Sequence, residues 1–144
     1  MKSINNNAPV KCSKSITIDA SSVRVWAVMT NINNWSAWQK DISKPTLNGE
    51  LKPGSTFDWN TGGAKIHSTL HTVEPFQHFG WTGKSFGMLA IHNWALTELN
   101  RQTKVSVEES IEGLLARLFK KSFNQNLEKG MQNWLNFLKK ECEQ

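Results

Sequence analysis

The sequence of 144 residues has only two cysteines and no apolar run long enough to cross a lipid bilayer. Cys12 and Cys142 stand near opposite ends, without metal-ligand spacing or a CxxC motif, which argues against a zinc site. We expect free thiols, and a disulfide between the ends is the alternative. The opening MKSINNNAPV lacks the apolar segment of a secretory signal, so we expect a cytoplasmic protein.

Motifs of nucleotide and metal chemistry are also missing. GELKPGST, at 49–56, approaches a phosphate-binding loop but has Ser55 in place of the lysine and leads into a strand, which excludes nucleotide triphosphate binding there. His67 and His71 would lie about 13 Å apart along one strand, too far to share one ion, and we expect both to face solvent. Without GxSxG, HExxH or a dinucleotide-binding glycine pattern, we expect neither a metal nor a cofactor.

The chain is moderately basic, with a formal net charge of +5 and an isoelectric point near 9.4. Its lysines are scattered, and the densest pairs, Lys120 with Lys121 and Lys139 with Lys140, fall in a predicted helix where they indicate a solvated face. The tryptophans and interleaved acids do not form a basic and aromatic groove, so no nucleic-acid binding is predicted. An acidic ligand or a membrane surface stays open as a partner, without stable membrane insertion.

What the chain does contain suffices for one domain that buries a core without disulfides or metal. Residues 1–10 are polar and rich in asparagine, and we expect a flexible tail ahead of a single domain at 11–144. Residues 113–141 have apolar side chains at helical spacing and no proline, which predicts one long amphipathic helix. Its apolar face would carry Leu115, Phe119, Phe123, Leu127, Met131, Trp134 and Leu138.

Between the tail and this helix, the apolar pattern mostly alternates as it does in strands. A first strand at 11–19 leads into a short helix capped by Asp19, Ser21 or Ser22, and then into a helical turn where Trp35 and Trp38 share one face. Further strands are predicted at 46–51, 55–60, 64–73, 76–83, 87–99 and 103–111. Sequential strands with tight turns predict an antiparallel meander, and the long helix would cover its apolar face.

One polar pair follows from the expected strand register. If Asn100 and Arg101 form a two-residue turn, residues whose numbers add to 201 lie opposite each other, and His92 faces Glu109 on the apolar side. This pair can be a structural pair that closes the sheet, a ligand anchor or a catalytic acid/base dyad, although no nucleophile is placed beside it. A bulged turn would reverse the parity and separate the two side chains.

Several phrases together resemble the helix-grip fold of the START and Bet v 1 superfamily, and in particular its polyketide cyclase/dehydrase-like branch. The phrases are ITIDASSVRVWAVMTNINNWSAW, LKPGSTFDW, HTVEPFQHFGWTG and HNWALTEL. The resemblance covers about residues 11–141. It implies an α+β fold in which a curved antiparallel sheet of about seven strands wraps around the long C-terminal helix, with two short helices after the first strand.

The resemblance also implies an internal cavity that binds a hydrophobic or aromatic small molecule, lipid-like or polyketide-like, as a monomer or weak homodimer. Entry would pass the glycine-bearing loops at 61–63 and 83–87. The candidate ligand-binding residues are Trp38, Phe57, Trp59, Leu70, Phe79, Trp81, His92, Trp94, Leu96, Val107, Glu109, Phe119, Phe123 and Leu127. Any of these aromatic residues can instead fill the core. Two alternatives stay open, a polyketide cyclase/dehydrase-type enzyme that uses His92 and Glu109, and a protein-interaction module of the chaperone co-activator type.

Overall fold

The computed structural model describes residues 1–144, and most of the chain between 10 and 112 is strand. The strands are β1 (Val10–Ile18), β2 (Ile42–Asn48), β3 (Thr56–Thr61), β4 (Ala64–Glu74), β5 (His78–Ser85), β6 (Met88–Leu99) and β7 (Gln102–Glu112). They form one antiparallel sheet in the order β1-β7-β6-β5-β4-β3-β2. The predicted α+β helix-grip fold, with a meander of six strands after β1, is confirmed.

Three tight turns set the register of this meander. Two-residue turns join β3 to β4, β5 to β6 and β6 to β7, and all six turn residues have positive φ angles between 50° and 78°. Such left-handed turns match the twist of the strands that they join. The last turn is formed by Asn100 and Arg101, as predicted, and it places His92 directly opposite Glu109.

Helices lie before and after the meander. α1 (Ser22–Thr30) is capped by Ser21, whose hydroxyl accepts a hydrogen bond from the Arg24 backbone N–H at 3.2 Å. It is followed by a 3₁₀ helix (Ile32–Ala37), and the C-terminal region forms α2 (Leu114–Leu118) and α3 (Lys120–Cys142). The predicted short helix and the following helical turn are therefore both present.

The prediction of one unbroken helix over 113–141 is wrong, because the helix is interrupted at Phe119. α2 packs on β6 and β7, whereas α3 packs on β1 and α1, and the chain passes from one set of contacts to the other at this residue. Leu115 and Phe119 are 36% and 56% exposed, while Met131, Leu135 and Leu138 are buried. The apolar face of the predicted helix is therefore buried in the core only in its C-terminal half.

The second strand also differs from its predicted position at 46–51, since β2 begins at Ile42. Its pairing with β3 shifts register between Ser43 and Thr46, and Lys44 has a φ angle of 52°. Pro45 lies inside this irregular stretch, which an edge strand tolerates because one row of its backbone groups has no neighbouring strand. The proline therefore marks a bulge rather than the end of a strand.

The core consists of aromatic and aliphatic residues from the inner face of the sheet. Its buried strand residues include Phe57, Trp59, Leu70, Phe79, Trp81, Trp94, Leu96, Val105 and Val107. Trp35 lies at the centre, with ring centroids 5.5 Å from Phe57, 5.6 Å from Trp81 and 5.1 Å from Trp134. Its indole N–H donates to the Met29 carbonyl at 2.9 Å, so its one polar atom is satisfied.

The sequence predicts a flexible tail at residues 1–10, but Val10 already belongs to β1, and residues 1–9 lie along the outer face of the sheet. The Asn93 side chain donates to the Lys2 carbonyl at 2.7 Å, and the Asn5 backbone N–H donates to the Ser110 hydroxyl at 3.0 Å. His71, which was expected to face solvent, is half-buried beside this segment. Burial lowers its pKa, and the N-terminal amino group and Lys2 act in the same direction.

Candidate functional site

A cavity of about 460 Å³ lies between the sheet and α3. It is found at the end of the sheet where the β3–β4 and β5–β6 turns meet α2. Six of the predicted ligand-binding residues line it, namely Trp59, Trp81, His92, Glu109, Phe123 and Leu127. Cavities of this size, lined mainly by apolar side chains with a few polar groups, are typical of small-molecule sites.

The other eight predicted residues do not line the cavity. Seven of them are in the buried interior, namely Trp38, Phe57, Leu70, Phe79, Trp94, Leu96 and Val107. They do not face the cavity because the aromatic side chains packed around Trp35 fill the space between the sheet and α3 there, with edge-on ring contacts. Phe119 is excluded for a different reason, since it lies at the break between α2 and α3 and is exposed.

His92 and Glu109 form the polar group of the cavity wall. The His92 Nδ1 is hydrogen-bonded to the Glu109 carboxylate, and the two side chains are 5% and 15% exposed. An ionised carboxylate only accepts hydrogen bonds, so the Nδ1 atom carries the proton. The other ring nitrogen, Nε2, is buried and has no hydrogen-bond partner within the protein. The pair therefore leaves one ring nitrogen unsatisfied in a largely apolar environment.

Aromatic rings fix the position of this imidazole. The Trp81 indole is stacked on His92, with ring centroids 4.4 Å apart and only 4° between the ring planes. The Trp94 and Trp134 rings lie 5.3 Å and 6.4 Å from it. These rigid neighbours restrict the rotation of the His92 side chain, which favours a fixed direction for its hydrogen bonds.

A second indole at the cavity wall has its polar atom satisfied. The Trp59 Nε1–H donates to the hydroxyl of Ser68 at 3.0 Å, and Ser68 is completely buried. The Ser68 side chain thus points inward from β4 and serves as a hydrogen-bonding group. Trp59 is therefore available to a ligand mainly through its apolar face.

The site also contains residues that the sequence prediction did not include. Met88 and Ala90 line the cavity, and they precede His92 by four and two positions in β6, so all three point to the same face of the sheet. Gly130 lies one helical turn from Leu127 and Trp134, and a Cβ atom built on it would meet nothing within 4 Å. The missing side chain at this position therefore contributes volume to the cavity.

The mouth of the cavity is bordered by the two turns that the sequence predicts as a gate. Gly62 from the β3–β4 turn and Lys84 and Phe86 from the β5–β6 hairpin line it, and Leu115 contributes from α2. The β5–β6 turn itself is only Phe86 and Gly87, shorter than the predicted loop at 83–87. Entry of a ligand past these turns stays a prediction.

A larger groove, of about 670 Å³, runs along the β2–β3 edge, but its walls are polar and Trp59 is its only apolar residue. Asp58 in this groove accepts a hydrogen bond from His67 at 2.7 Å, which lowers the pKa of the carboxyl group, with Asn48 adding to the effect. His67 is exposed, as predicted. We therefore assign the functional site to the smaller apolar cavity.

Comparison with protein families gives one match that spans nearly the whole chain. The family model described as polyketide cyclase / dehydrase and lipid transport matches residues 9–143. Comparison with curated proteins gives no match. None of the helices combines the length and apolar content needed to cross a membrane.

Solved structures with the same architecture are diverse in sequence. A hypothetical protein from Helicobacter pylori has a TM-score of 0.86 and 18% identity, with 99% of this chain and 97% of that one covered. The Zhui aromatase/cyclase from Streptomyces sp. R1128 has a TM-score of 0.79 and 12% identity, with 92% and 93% covered. Ara h 8.0201 has a TM-score of 0.74 and 9% identity, with 92% and 96% covered. At these identities the similarity establishes the fold alone.

Proposed function

The chain belongs to the polyketide cyclase/dehydrase and lipid transport family, and we propose that it binds a hydrophobic or aromatic small molecule in the cavity under α3. The observation that carries this proposal is the cavity itself, which has apolar walls and a single buried polar pair, His92 with Glu109. Apolar surface removed from water supplies most of the affinity in such a site.

His92 serves as the polar anchor of this site. Glu109 occupies Nδ1, so Nε2 is the ring nitrogen left to form a hydrogen bond with a ligand. A ligand hydroxyl can donate to this atom, and the resulting bond satisfies a buried nitrogen that has no partner within the protein. The proposed ligand is therefore an apolar molecule, aromatic or lipid-like, that carries a hydroxyl group.

Titration of the protein with such molecules tests the proposal through tryptophan fluorescence, because Trp59, Trp81 and Trp134 all line the cavity. The panel contains polyphenolic polyketides, simple aromatics, sterols and fatty acids. Saturable quenching together with a rise in melting temperature is expected for at least one class, since a ligand that binds the folded state stabilises it. A flat response in both measurements across the panel would contradict the proposal.

A pair of variants at one position locates the bound ligand. Gly130→Leu places a side chain in the cavity and is expected to abolish quenching, whereas Gly130→Ala adds one methyl group in open space and is expected to retain it. Equal binding by both variants would place the ligand elsewhere on the molecule. Loss of binding with no loss of folding in Gly130→Leu supports occupation of the cavity.

A second candidate function is a polyketide cyclase/dehydrase-type enzyme, favoured by the His92–Glu109 hydrogen bond. A histidine oriented by a carboxylate, with its second nitrogen free, has the arrangement of a general base or acid. With a polyketide that binds, Glu109→Gln is expected to lower kcat by about 10²-fold or more while leaving binding largely intact, if the pair is catalytic. Unchanged turnover in that variant would remove the pair from the chemistry.

Two further expectations from the sequence remain part of this proposal. These are location in the cytoplasm and a monomeric or weakly dimeric state. A binding protein for a small apolar molecule needs no second subunit when one chain surrounds the cavity, as the sheet, α2 and α3 do here. Light scattering of the purified protein tests the oligomeric state directly.

A further inference from the structure

Four large apolar side chains stand exposed beside the mouth of the cavity. We call them the apolar rim, and their exposed fractions are 70% for Phe86, 71% for Leu114, 64% for Leu118 and 56% for Phe119. A Cβ atom built on Gly113 would lie 3.0 Å from the carbonyl oxygen of Gly87, so the start of α2 touches the β5–β6 turn. The β5–β6 turn and α2 therefore place these exposed side chains at the same end of the molecule, and exposed apolar side chains grouped in this way indicate a binding partner.

Cations border the apolar rim. They are Lys65, Lys84, Arg117, Lys120 and Lys121, all exposed and none in a salt bridge. Lys65 and Lys84 line one shallow groove together with Phe86. Of the acids in the neighbouring strands, Glu109 and Glu112 are hydrogen-bonded to His92 and Asn5, and Asp58 is hydrogen-bonded to His67 and Asn48. The first turn of α3 contains no acidic residue either, so this end of the molecule is positively charged.

We propose that the apolar rim and its basic border dock on the surface of an anionic lipid membrane. Exposed leucine and phenylalanine side chains enter the boundary between headgroups and acyl chains, while the lysines and arginine pair with lipid phosphates. The rim fits this partner because its apolar and cationic groups occur together on the same end of the molecule. Docking there places the mouth of the cavity directly against the bilayer, which goes beyond small-molecule binding.

Sedimentation of the protein with vesicles tests this proposal, with no small ligand present. Vesicles of phosphatidylcholine with about 30 mol% phosphatidylglycerol have a strongly anionic surface, and they are compared with vesicles of phosphatidylcholine alone. Binding is expected to the anionic vesicles, to be weaker on the neutral ones, and to fall as salt is raised through 0.15 M, where charges are screened beyond roughly 8 Å. Binding that is independent of lipid charge and salt would overturn the proposal.

Variants of exposed residues distinguish the apolar rim from the rest of the surface. Leu114→Ser with Leu118→Ser is expected to lower partitioning by about tenfold or more, because two buried leucine side chains are lost from the bilayer boundary. Leu99→Ser is the control, since Leu99 is 72% exposed at the opposite end of β6. Equal losses in the two proteins would assign the binding to general hydrophobicity and overturn the proposal.

The basic border is tested in the same assay. Lys120→Gln with Lys121→Gln is expected to lower partitioning to anionic vesicles by about fivefold for each lysine, while Lys129→Gln, on the exposed middle of α3, has little effect.

Light scattering then examines the alternative of self-association. A dimer that dissociates in the Leu114→Ser, Leu118→Ser variant would assign the apolar rim to a second copy of the chain and overturn membrane docking. Because no ligand is present, these results do not depend on the outcome of the ligand titration.

Discussion

The imidazole ring of His71 lies over the backbone of Gly80, where a Cβ atom would come within 2.4 Å of its Cε1 atom and within 2.7 Å of the Asn93 Oδ1 atom. Gly80→Ala must therefore displace the ring or separate β4 from β5. We expect a loss of about 1–3 kcal/mol in the free energy of unfolding, the usual cost of overpacking. Urea denaturation measures it, and unchanged stability would mean that the His71 ring moves freely.

Gly130→Ala is expected to increase the stability of the protein, in contrast to Gly80→Ala. Gly130 lies inside α3, and an added Cβ has no neighbour within 4 Å, so the alanine removes backbone freedom from the unfolded chain without a clash. We expect a gain of about 0.5–1 kcal/mol in the free energy of unfolding. A destabilised variant in the same urea experiment would contradict the open space described at this position.

The half-buried histidine on the outer face, His71, predicts a pH dependence of stability. Burial lowers the pKa of His71 below its ordinary value of 6.5, so the unfolded chain takes up this proton first as the pH falls. The stability contributed by the neutral imidazole is complete above pH 6.5 and declines as the pH falls through the folded pKa. His71→Gln is expected to reduce the loss of stability in this range. Identical pH profiles for His71→Gln and the unaltered protein would contradict this assignment.

The hydrogen bond between His92 and Glu109 predicts non-additive stabilities. His92→Phe preserves a ring against Trp81 but leaves a mostly buried carboxylate without its donor, and we expect a loss of about 1–3 kcal/mol. Adding Glu109→Leu removes that carboxylate and is expected to recover part of the loss. A double-mutant cycle in urea measures the coupling, and strictly additive effects would show that the two side chains do not depend on each other.

Thiol reactivity provides a further test of the packing between α1 and α3. Burial raises the pKa of Cys142 to about 12, so its thiol is protonated at pH 8 and shielded from reagents. We expect dithionitrobenzoate to react with Cys142 only when urea unfolds the protein, at a rate that follows the unfolding transition. In Cys142→Ser this urea-dependent reaction should disappear while the reaction of Cys12 continues, and rapid labelling of Cys142 in the folded protein would contradict its burial.

Much of the fold could be predicted because the strands alternate and the turns are short. The turn at Asn100 and Arg101 alone determined that His92 faces Glu109, since two-residue turns fix the register of both strands. Both residues of that turn have positive φ, a conformation that asparagine tolerates well. The bulge in β2 does not follow from the sequence, because a proline such as Pro45 marks a strand boundary as readily as an irregular edge strand.

The extent of the cavity could not be predicted in the same way. Parity identifies which side chains point inward, but it does not distinguish residues that pack on each other from residues that border open space. Phe57 and Trp59 have the same parity in β3, yet only Trp59 lines the cavity. Phe57 borders no open space because Trp35 and Trp134, which come from distant parts of the chain, fill the interior beside it.

The irregular pairing of β2 affects how molecules of this protein meet at high concentration. An outer strand with a straight row of free N–H and C=O groups is a template on which another chain can add, and this is a route to aggregation. In β2 the row is interrupted, because Pro45 has no N–H and the backbone turns out of line at Lys44. The end of the sheet thus resists growth by addition of strands, which favours a sheet that remains seven strands wide.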